Sequence, residues 1–257
     1  SPVLNLHREF EEPESITRLQ RDLVKRLDGI HRDRRHGQPR LAARIASYEL
    51  AARMQLTASN CLDLAQESQA TLSMYGIGVA ATDSYGRRCL MARRLIERGV
   101  RFVQLFIDGQ IWDNHSKIST ALKVACDRTD KPIAGLLMDL KQRGLLDQTL
   151  VLWGGEFGRL PLAQVQNGND KNAGRDHNKR AMSTWMAGGG VQAGLTYGAT
   201  DELGFDSVEN PVSVSDWHAT LLHLLGLDHR RLVYHRNGLN EKLTGVEEAH
   251  VIRGILR

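Results

Sequence analysis

Three polar segments of the chain combine carboxylates, imidazoles and glycines in a pattern that suits metal-ion chemistry. They read WDNH at 112–115, GGEFGR at 154–159 and GRDHN at 174–178. Oxygen and imidazole ligands together suit Zn²⁺, Mn²⁺ or iron, and mixed sites of this kind are found in hydrolytic metal centres. The candidate residues in these segments are Asp113, His115, Glu156, Arg159, Asp176 and His177.

Each candidate also has an ordinary structural interpretation. The two aspartates are of a type that caps turns, and the two histidines could be common polar loop residues. Arg159 could bind an anionic substrate through two nitrogens, as a sulfate or phosphate ester would allow, or form a surface ion pair. The glycines around Glu156 permit positive φ angles and a close approach of the backbone to a ligand.

The predicted strands are what would bring these segments together. The apolar runs VRFVQLFID (100–108), TLVLWGGE (149–156) and AMSTWMAGGG (181–190) indicate short buried strands. They alternate with helical patterns that each end at a glycine. One of these, DKPIAGLLMDLKQRG, predicts a helix with Pro132 near its start and Gly144 at its end. This alternation predicts an α/β fold with a mainly parallel sheet flanked by helices, in which ligands bind beyond the carboxyl ends of the strands.

The first quarter of the chain carries only helical patterns. ITRLQRDLVKRLDGI places its apolar residues on one helical face, at steps of three and four, and RLAARIASYELAARMQL repeats the pattern after Pro39. We therefore expect a helical segment over residues 1–75, packed on an α/β core over residues 76–257.

Composition and charge argue against several classes of function. No window approaches 18 consecutive apolar residues, so no membrane span is predicted. The net charge is +4, and the densest basic run, HRDRRHGQPR at 31–40, has neither interleaved aromatic residues nor a nucleic-acid motif. This run is therefore interpreted as a solvated helix end rather than a nucleic-acid surface. The three cysteines form no disulfide or metal motif.

Sequence motifs for dinucleotide binding and for a serine nucleophile are incomplete in this chain. The start of one helix, in contrast, has a clear capping signal. GGGVQA at 188–193 matches part of a dinucleotide-binding pattern, but no apolar helical periodicity follows it. A serine nucleophile is not predicted either, because the chain lacks G-x-S-x-G. In SDWHATLLHLLGLD, Asp216 is expected to cap the helix. His223 is expected to be structural, and the role of His218 is left open.

Four segments, in this order, resemble the DUF1501 family of exported bacterial proteins. They are DLKQRGLLDQTLVLWGGEFGR, GRDHN, MAGGGVQAGLTYGATDELG and DWHATLLHLLGLDH, within about residues 70–235. The resemblance implies an exported, periplasmic protein. The chain starts without Met and without a signal-peptide pattern. We therefore expect a fragment or processed product, with the family's export signal before its first residue.

That family in turn resembles the alkaline phosphatase and sulfatase superfamily. By this resemblance Asp113 and His115 would bind one metal, and His177 would be the downstream metal-binding histidine. Asp176 would bind directly or orient the second ring nitrogen of His177. Glu156 would be a metal ligand or general base. The implied cofactor is a divalent metal, with zinc or manganese the first choices.

The resemblance implies an alkaline-phosphatase-like fold and a metal-dependent hydrolase, acting on a small anionic ester or a sulfated glycan. Phe157 stands where a metal-binding histidine is usual, and Lys117 and Lys179 stand where small residues or proline are expected. The strand that would carry the nucleophile has no counterpart. The missing strand and Phe157 favour an alternative, a non-catalytic exported protein that binds a glycan or protein partner through the same crevice. The clustering of Asp, His and Glu in three loops argues against this alternative.

Overall fold

A computed structural model of the chain describes residues 12–35, 37–165, 168 and 170–257. The chain forms two compact units, one that ends at Gln66 and one that begins at Glu67. Among the residues described, no helix combines the length and the apolar character that a membrane crossing requires.

The described part of the first unit is helical. Helix α1 spans Glu14–Arg34, helix α2 spans Pro39–Leu62, and a 3-10 turn follows at Leu64–Gln66. The apolar face that the sequence predicts for α1 is exposed, since Leu19 and Leu23 are 65% and 58% accessible and no residue of this helix is buried.

Four helices lie in the second unit: α3 (Gln69–Met74), α4 (Asp83–Glu97), α5 (Ile118–Gln142) and α6 (Val214–Leu224). Helices α4 and α5 supply much of the apolar core, with Cys89, Leu90, Ala125, Leu136 and Leu140 buried. Glycines allow the end of α3 to approach both helices closely. A β-carbon on Gly86 would lie 2.2 Å from the carbonyl oxygen of Tyr75, and one on Gly135 would lie 2.7 Å from that of Met74.

A network of buried charges also lies between α4 and α5. Arg93 is 2% exposed. Its Nε donates to Asp139 Oδ2 at 2.8 Å, and its Nη1 donates to Glu97 Oε2 at 2.6 Å. The Tyr75 hydroxyl donates to the same Asp139 oxygen at 2.9 Å, and Arg143 Nε donates to Asp139 Oδ1 at 2.6 Å. Asp139 therefore accepts three hydrogen bonds inside the core.

Glu67 extends this network. Its Oε2 lies 2.8 Å from Arg93 Nη2, without the angle of a good hydrogen bond, and its Oε1 accepts a hydrogen bond from Arg94. Burial alone would raise the pKa of Glu67, but the positive charges of Arg93 and Arg94 beside it outweigh burial and hold the pKa below its ordinary value.

In the residues that the structure describes, the strands pair only as two-stranded antiparallel ladders. In the described part of the chain the pairs are β1 (Val151–Trp153) with β4 (Trp185–Ala187), β2 (Gly158–Arg159) with β3 (His177–Asn178), β5 (Ala199–Thr200) with β6 (Ser207–Glu209), and β7 (Val233–Arg236) with β8 (Leu239–Lys242). No extended parallel sheet is present in this part. The predicted α/β, alkaline-phosphatase-like fold is therefore wrong.

The physical reason is visible in the three predicted strands. Two of them exist, as β1 and β4, but they pair with each other in antiparallel register, with Trp153 opposite Trp185. The third, at 100–108, belongs to no strand, and its Phe102 and Phe106 are 72% and 67% exposed. An apolar, β-branched run fits a sheet, but its composition specifies neither a ladder partner nor a direction.

Helix α6 begins with a capping box. Ser213 Oγ accepts from the backbone N–H of Asp216 at 3.0 Å, and Asp216 Oδ2 accepts from the Ser213 N–H at 3.2 Å. The second carboxylate oxygen accepts from the His250 N–H at 2.7 Å, which ties the C-terminal segment to the helix start. The prediction that Asp216 caps this helix is confirmed.

Replacing Asp216 by alanine should lower the free energy of unfolding by about 1–2 kcal/mol at neutral pH. Burial opposes ionisation of Asp216, but the bonds from His250 and Ser213 outweigh it and lower its pKa below 3.8. Its stabilising effect is therefore present above that value and lost as pH falls below it. Urea titrations at several pH values should show the two proteins converging in acid, and equal stabilities at neutral pH would contradict the capping role.

Candidate metal centre

The site is assembled from one loop and one small ladder. Asp113 and His115 lie in the loop that leads into α5, just before Lys117, whose φ of 52° is left-handed. Arg159 on β2 and His177 on β3 are directly opposite each other in the ladder. The ladder therefore fixes the imidazole and the guanidinium side by side, and the loop brings the other two side chains to them.

Backbone contacts hold the loop against the segment that precedes β3. The Arg175 N–H donates to the carbonyl of Asn114 at 3.0 Å. Gly174 makes this approach possible, because a β-carbon there would lie only 2.1 Å from the carbonyl carbon of His115. The glycine of the GRDHN segment thus has a steric role, which places the two histidine-bearing segments in contact.

Three of the candidate ligands converge on one point. His115 Nε2 and His177 Nε2 lie 3.0 Å and 3.1 Å from Asp113 Oδ1, and ligand atoms of all three residues fall within 4.8 Å of one another. Two ligands that each lie about 2.0–2.2 Å from a zinc ion are roughly 3–3.5 Å apart in tetrahedral geometry. The three side chains are 27–40% exposed, which leaves the site open to solvent. They can therefore hold a divalent metal.

Gln164 fixes the orientation of one imidazole. His115 Nδ1 lies 2.8 Å from Gln164 Oε1. An amide oxygen only accepts, so Nδ1 carries the proton in this bond. In neutral His115 the lone pair then lies on Nε2, which faces Asp113 Oδ1. A lone pair and a carboxylate repel at this distance, and a cation between them removes the repulsion.

Arg159 places a positive charge beside the carboxylate of Asp113. Its Nη1 donates to Asp113 Oδ1 at 2.7 Å. Arg159 first, and His177 second, hold the pKa of Asp113 below its ordinary value. Asp113 therefore stays ionised, as a metal ligand must.

The other two predicted site residues lie outside this three-residue group. Asp176 Oδ1 accepts from the backbone N–H of His177 at 2.7 Å and lies 3.8 Å from His115 Nδ1. Glu156 is exposed and has no hydrogen bond or ion pair with the described residues. Its neighbour Phe157 stacks on the His177 ring, with centroids 4.9 Å apart and planes at 22°. Their predicted roles as ligand and base remain predictions.

Sequence reasoning missed Gln164. Its contact with His115 spans 49 positions, and its own segment carries no motif. A backbone bridge between Gln164 and Gly174 brings it to the site, with N–H···O distances of 2.8 Å and 2.9 Å in the two directions. Gln164 can therefore be recognised as part of the site only from this backbone pairing, which the sequence does not show.

Replacing Gln164 by leucine should weaken zinc binding by about 10–100-fold, the usual effect of losing a residue that orients a ligand. The leucine cannot accept the Nδ1 proton, so the His115 ring loses its orientation. Gln164→Glu keeps an acceptor at this position and should retain most of the affinity. Isothermal titration calorimetry with zinc checks both variants, and equal weakening in both would contradict the proposed contact.

Comparison with known proteins agrees with part of the sequence interpretation. No curated protein and no solved structure shows a significant match to the chain. None of the comparisons supports the expected resemblance to the alkaline phosphatase and sulfatase superfamily. The family model described as "Protein of unknown function (DUF1501)" matches residues 1–256, so the likeness extends beyond residues 70–235 into the helical first unit. The chain belongs to the DUF1501 family.

Proposed function

We propose that this protein is a divalent-metal-dependent hydrolase of sulfate or phosphate esters, in which Asp113, His115 and His177 bind the cation. The observation that carries the proposal is the convergence of two imidazole nitrogens on one carboxylate oxygen, at 3.0 Å and 3.1 Å. Two imidazoles and a carboxylate are a frequent ligand set of catalytic zinc, and manganese accepts the same donors.

The ligand set leaves room for a substrate. Three protein ligands are the number that catalytic zinc sites use while they keep a further position open, and the partial exposure of all three agrees with access from solvent. The cation would polarise an ester oxygen and stabilise the charge that develops on it. Arg159 would hold the anionic group of the ester, and Glu156 would serve as the general base.

One observation favours the alternative, a protein that binds a ligand without hydrolysing it. Glu156 is exposed and contacts neither histidine through a hydrogen bond among the described residues. Without a base the cation would bind an anionic ester or sulfated glycan but would not activate water. Export to the periplasm belongs to both proposals and is supported only by the family resemblance.

The test uses purified, metal-stripped protein equilibrated with zinc or manganese. Plasma mass spectrometry would measure the bound metal, and p-nitrophenyl phosphate and p-nitrophenyl sulfate would report hydrolysis. We expect near-stoichiometric metal, and loss of metal and turnover in the His115→Ala/His177→Ala double variant. The double variant His235→Ala/His250→Ala is the matched control, because both histidines are exposed and lie outside the three-residue group.

The outcomes separate the two functions. Metal binding together with hydrolysis supports the enzyme. Metal binding without hydrolysis of either ester supports the binding protein. An unchanged metal content in the His115→Ala/His177→Ala variant, with an unchanged circular dichroism spectrum, would show that the ligands are assigned wrongly.

A further inference from the structure

We infer that Arg159 and the divalent cation compete for Asp113 Oδ1, so that binding of the cation frees Arg159 to bind a tetrahedral oxyanion. The inference rests on the proposed metal site and adds its regulation. Under this inference, metal binding and anion binding are thermodynamically coupled.

The environment of Asp113 Oδ1 is crowded. Arg159 Nη1, His115 Nε2 and His177 Nε2 lie at 2.7 Å, 3.0 Å and 3.1 Å from this single oxygen. A carboxylate oxygen offers about two lone-pair sites. Hydrogen bonds from Arg159 Nη1 and His177 Nε2 fill both sites in the structure, so a cation at this oxygen must displace one of these two donors.

The positive charges of the cation and of Arg159 oppose each other at this oxygen. A divalent cation bound at Oδ1 and a guanidinium held at 2.7 Å from the same atom would repel each other strongly at this range. In the metal-free site Arg159 compensates the carboxylate, and the cation takes over that role when it binds. The released guanidinium is then left without a counter-charge beside the site.

After its release, Arg159 can bind an anion beside the cation. Strand β2 fixes its backbone opposite that of His177, so the side chain remains next to the cation. Its hydrogen bond to Asp113 is the one that it makes among the described residues, and the side chain is 23% exposed. A guanidinium has five donors in a planar fork, a geometry that fits two oxygens of a sulfate or phosphate group.

The coupling must be reciprocal. If zinc raises the affinity of the site for an oxyanion, the oxyanion raises the affinity for zinc by the same factor. Removal of Arg159 then has two consequences. Zinc binds more tightly in the absence of an anion, because its competitor is gone, and the effect of the anion disappears.

The experiment is calorimetric titration of zinc into metal-stripped wild-type and Arg159→Ala protein, with and without sulfate at constant ionic strength. We expect zinc affinity without sulfate to rise roughly tenfold in Arg159→Ala, within the usual range of such couplings. We expect sulfate to raise zinc affinity in the wild type and to have no effect in the variant. Lys179→Ala is the matched control, because it removes a positive charge two positions from His177 without removing a contact to Asp113.

The outcomes distinguish failure of this inference from failure of the proposed function. Wild-type protein that binds no zinc would overturn the proposed function and this inference together. Zinc binding by the wild type with equal or lower affinity in Arg159→Ala would overturn this inference alone. An equal gain in Lys179→Ala and Arg159→Ala would also overturn it, because the gain would then be a general effect of charge. Loss of the sulfate effect in Arg159→Ala alone supports it.

Discussion

Replacing Asp139 by alanine should lower the free energy of unfolding by about 3–5 kcal/mol, the usual cost of removing one partner from a buried ion pair. Asp139 is 3% exposed. It accepts hydrogen bonds from Arg93, Arg143 and the Tyr75 hydroxyl. The alanine leaves all three donors without this acceptor, and one of them is a charge that water does not reach.

The charges around Asp139 explain the size of the effect. Arg93, Arg94 and Arg143 face Glu67, Glu97 and Asp139, so three positive and three negative groups balance. Loss of Asp139 leaves an excess positive charge beside Arg93. Burial, and after it the Asp139 carboxylate, raises the pKa of Tyr75, so that this hydroxyl stays a donor and cannot become a compensating anion.

The test is urea unfolding followed by tryptophan fluorescence, and the same helix offers a control. Asp127 on α5 pairs with Lys123 at 2.6 Å, but both side chains are more than half exposed. Asp127→Ala should therefore cost less than about 0.5 kcal/mol. A similar cost for Asp127→Ala and Asp139→Ala would mean that burial of the network does not matter. Asp139→Asn, which keeps one acceptor, should lie between them.

Helix ends and helix starts differ in how far the local sequence encodes them. Helix ends were predictable where a glycine takes a positive φ, as at Gly99 and Gly144, whose φ angles are 83° and 69°. The start of helix α5 was not predictable from the local sequence. The sequence places Pro132 near a helix start, whereas the helix begins at Ile118 and contains this proline. Thr129, Pro132 and Leu136 are buried on α5, so tertiary packing outweighs the lost backbone bond.

The prediction of a parallel sheet was wrong for a different reason. The pairing of strands is a non-local property, and the periodicity within 149–156 and 181–190 is compatible with either direction. The run at 100–108 has strand-forming residues, yet in the described chain no backbone completes its ladder. The fold class was inferred from alternation of patterns alone, and alternation does not fix which strands meet.

The candidate site was predicted in part because its residues come from short segments with unusual composition. Asp113, His115 and His177 lie together although the sheet that was expected to gather them is absent from the described chain. A loop, a two-residue ladder and the steric demand at Gly174 bring them together instead. The prediction that these three residues are neighbours was thus correct, although the fold from which it was inferred was wrong. Gln164 could not be found, because its role depends on that geometry.

Replacing Asp113 by asparagine should weaken zinc binding by at least about 100-fold, more than the 10–100-fold that loss of an orienting residue costs. The two side chains have nearly the same shape, so the Asp113→Asn variant differs from the natural chain mainly by one charge. The amide lacks the charge that holds the cation between the two imidazoles. Calorimetric titration of zinc measures the loss, and Asp108→Asn is the control, because Asp108 pairs with Arg88 outside the three-residue group.

The pH dependence of zinc binding gives the same prediction a second readout. Since Arg159 and His177 hold the pKa of Asp113 below its ordinary value of 3.8, this carboxylate stays ionised until the solution is strongly acidic. The difference in zinc affinity between the two proteins should therefore persist at every pH at which Asp113 is ionised, with the Asp113→Asn curve displaced to weaker binding. A variant whose affinity stays within about threefold of the wild type would remove Asp113 from the ligand set.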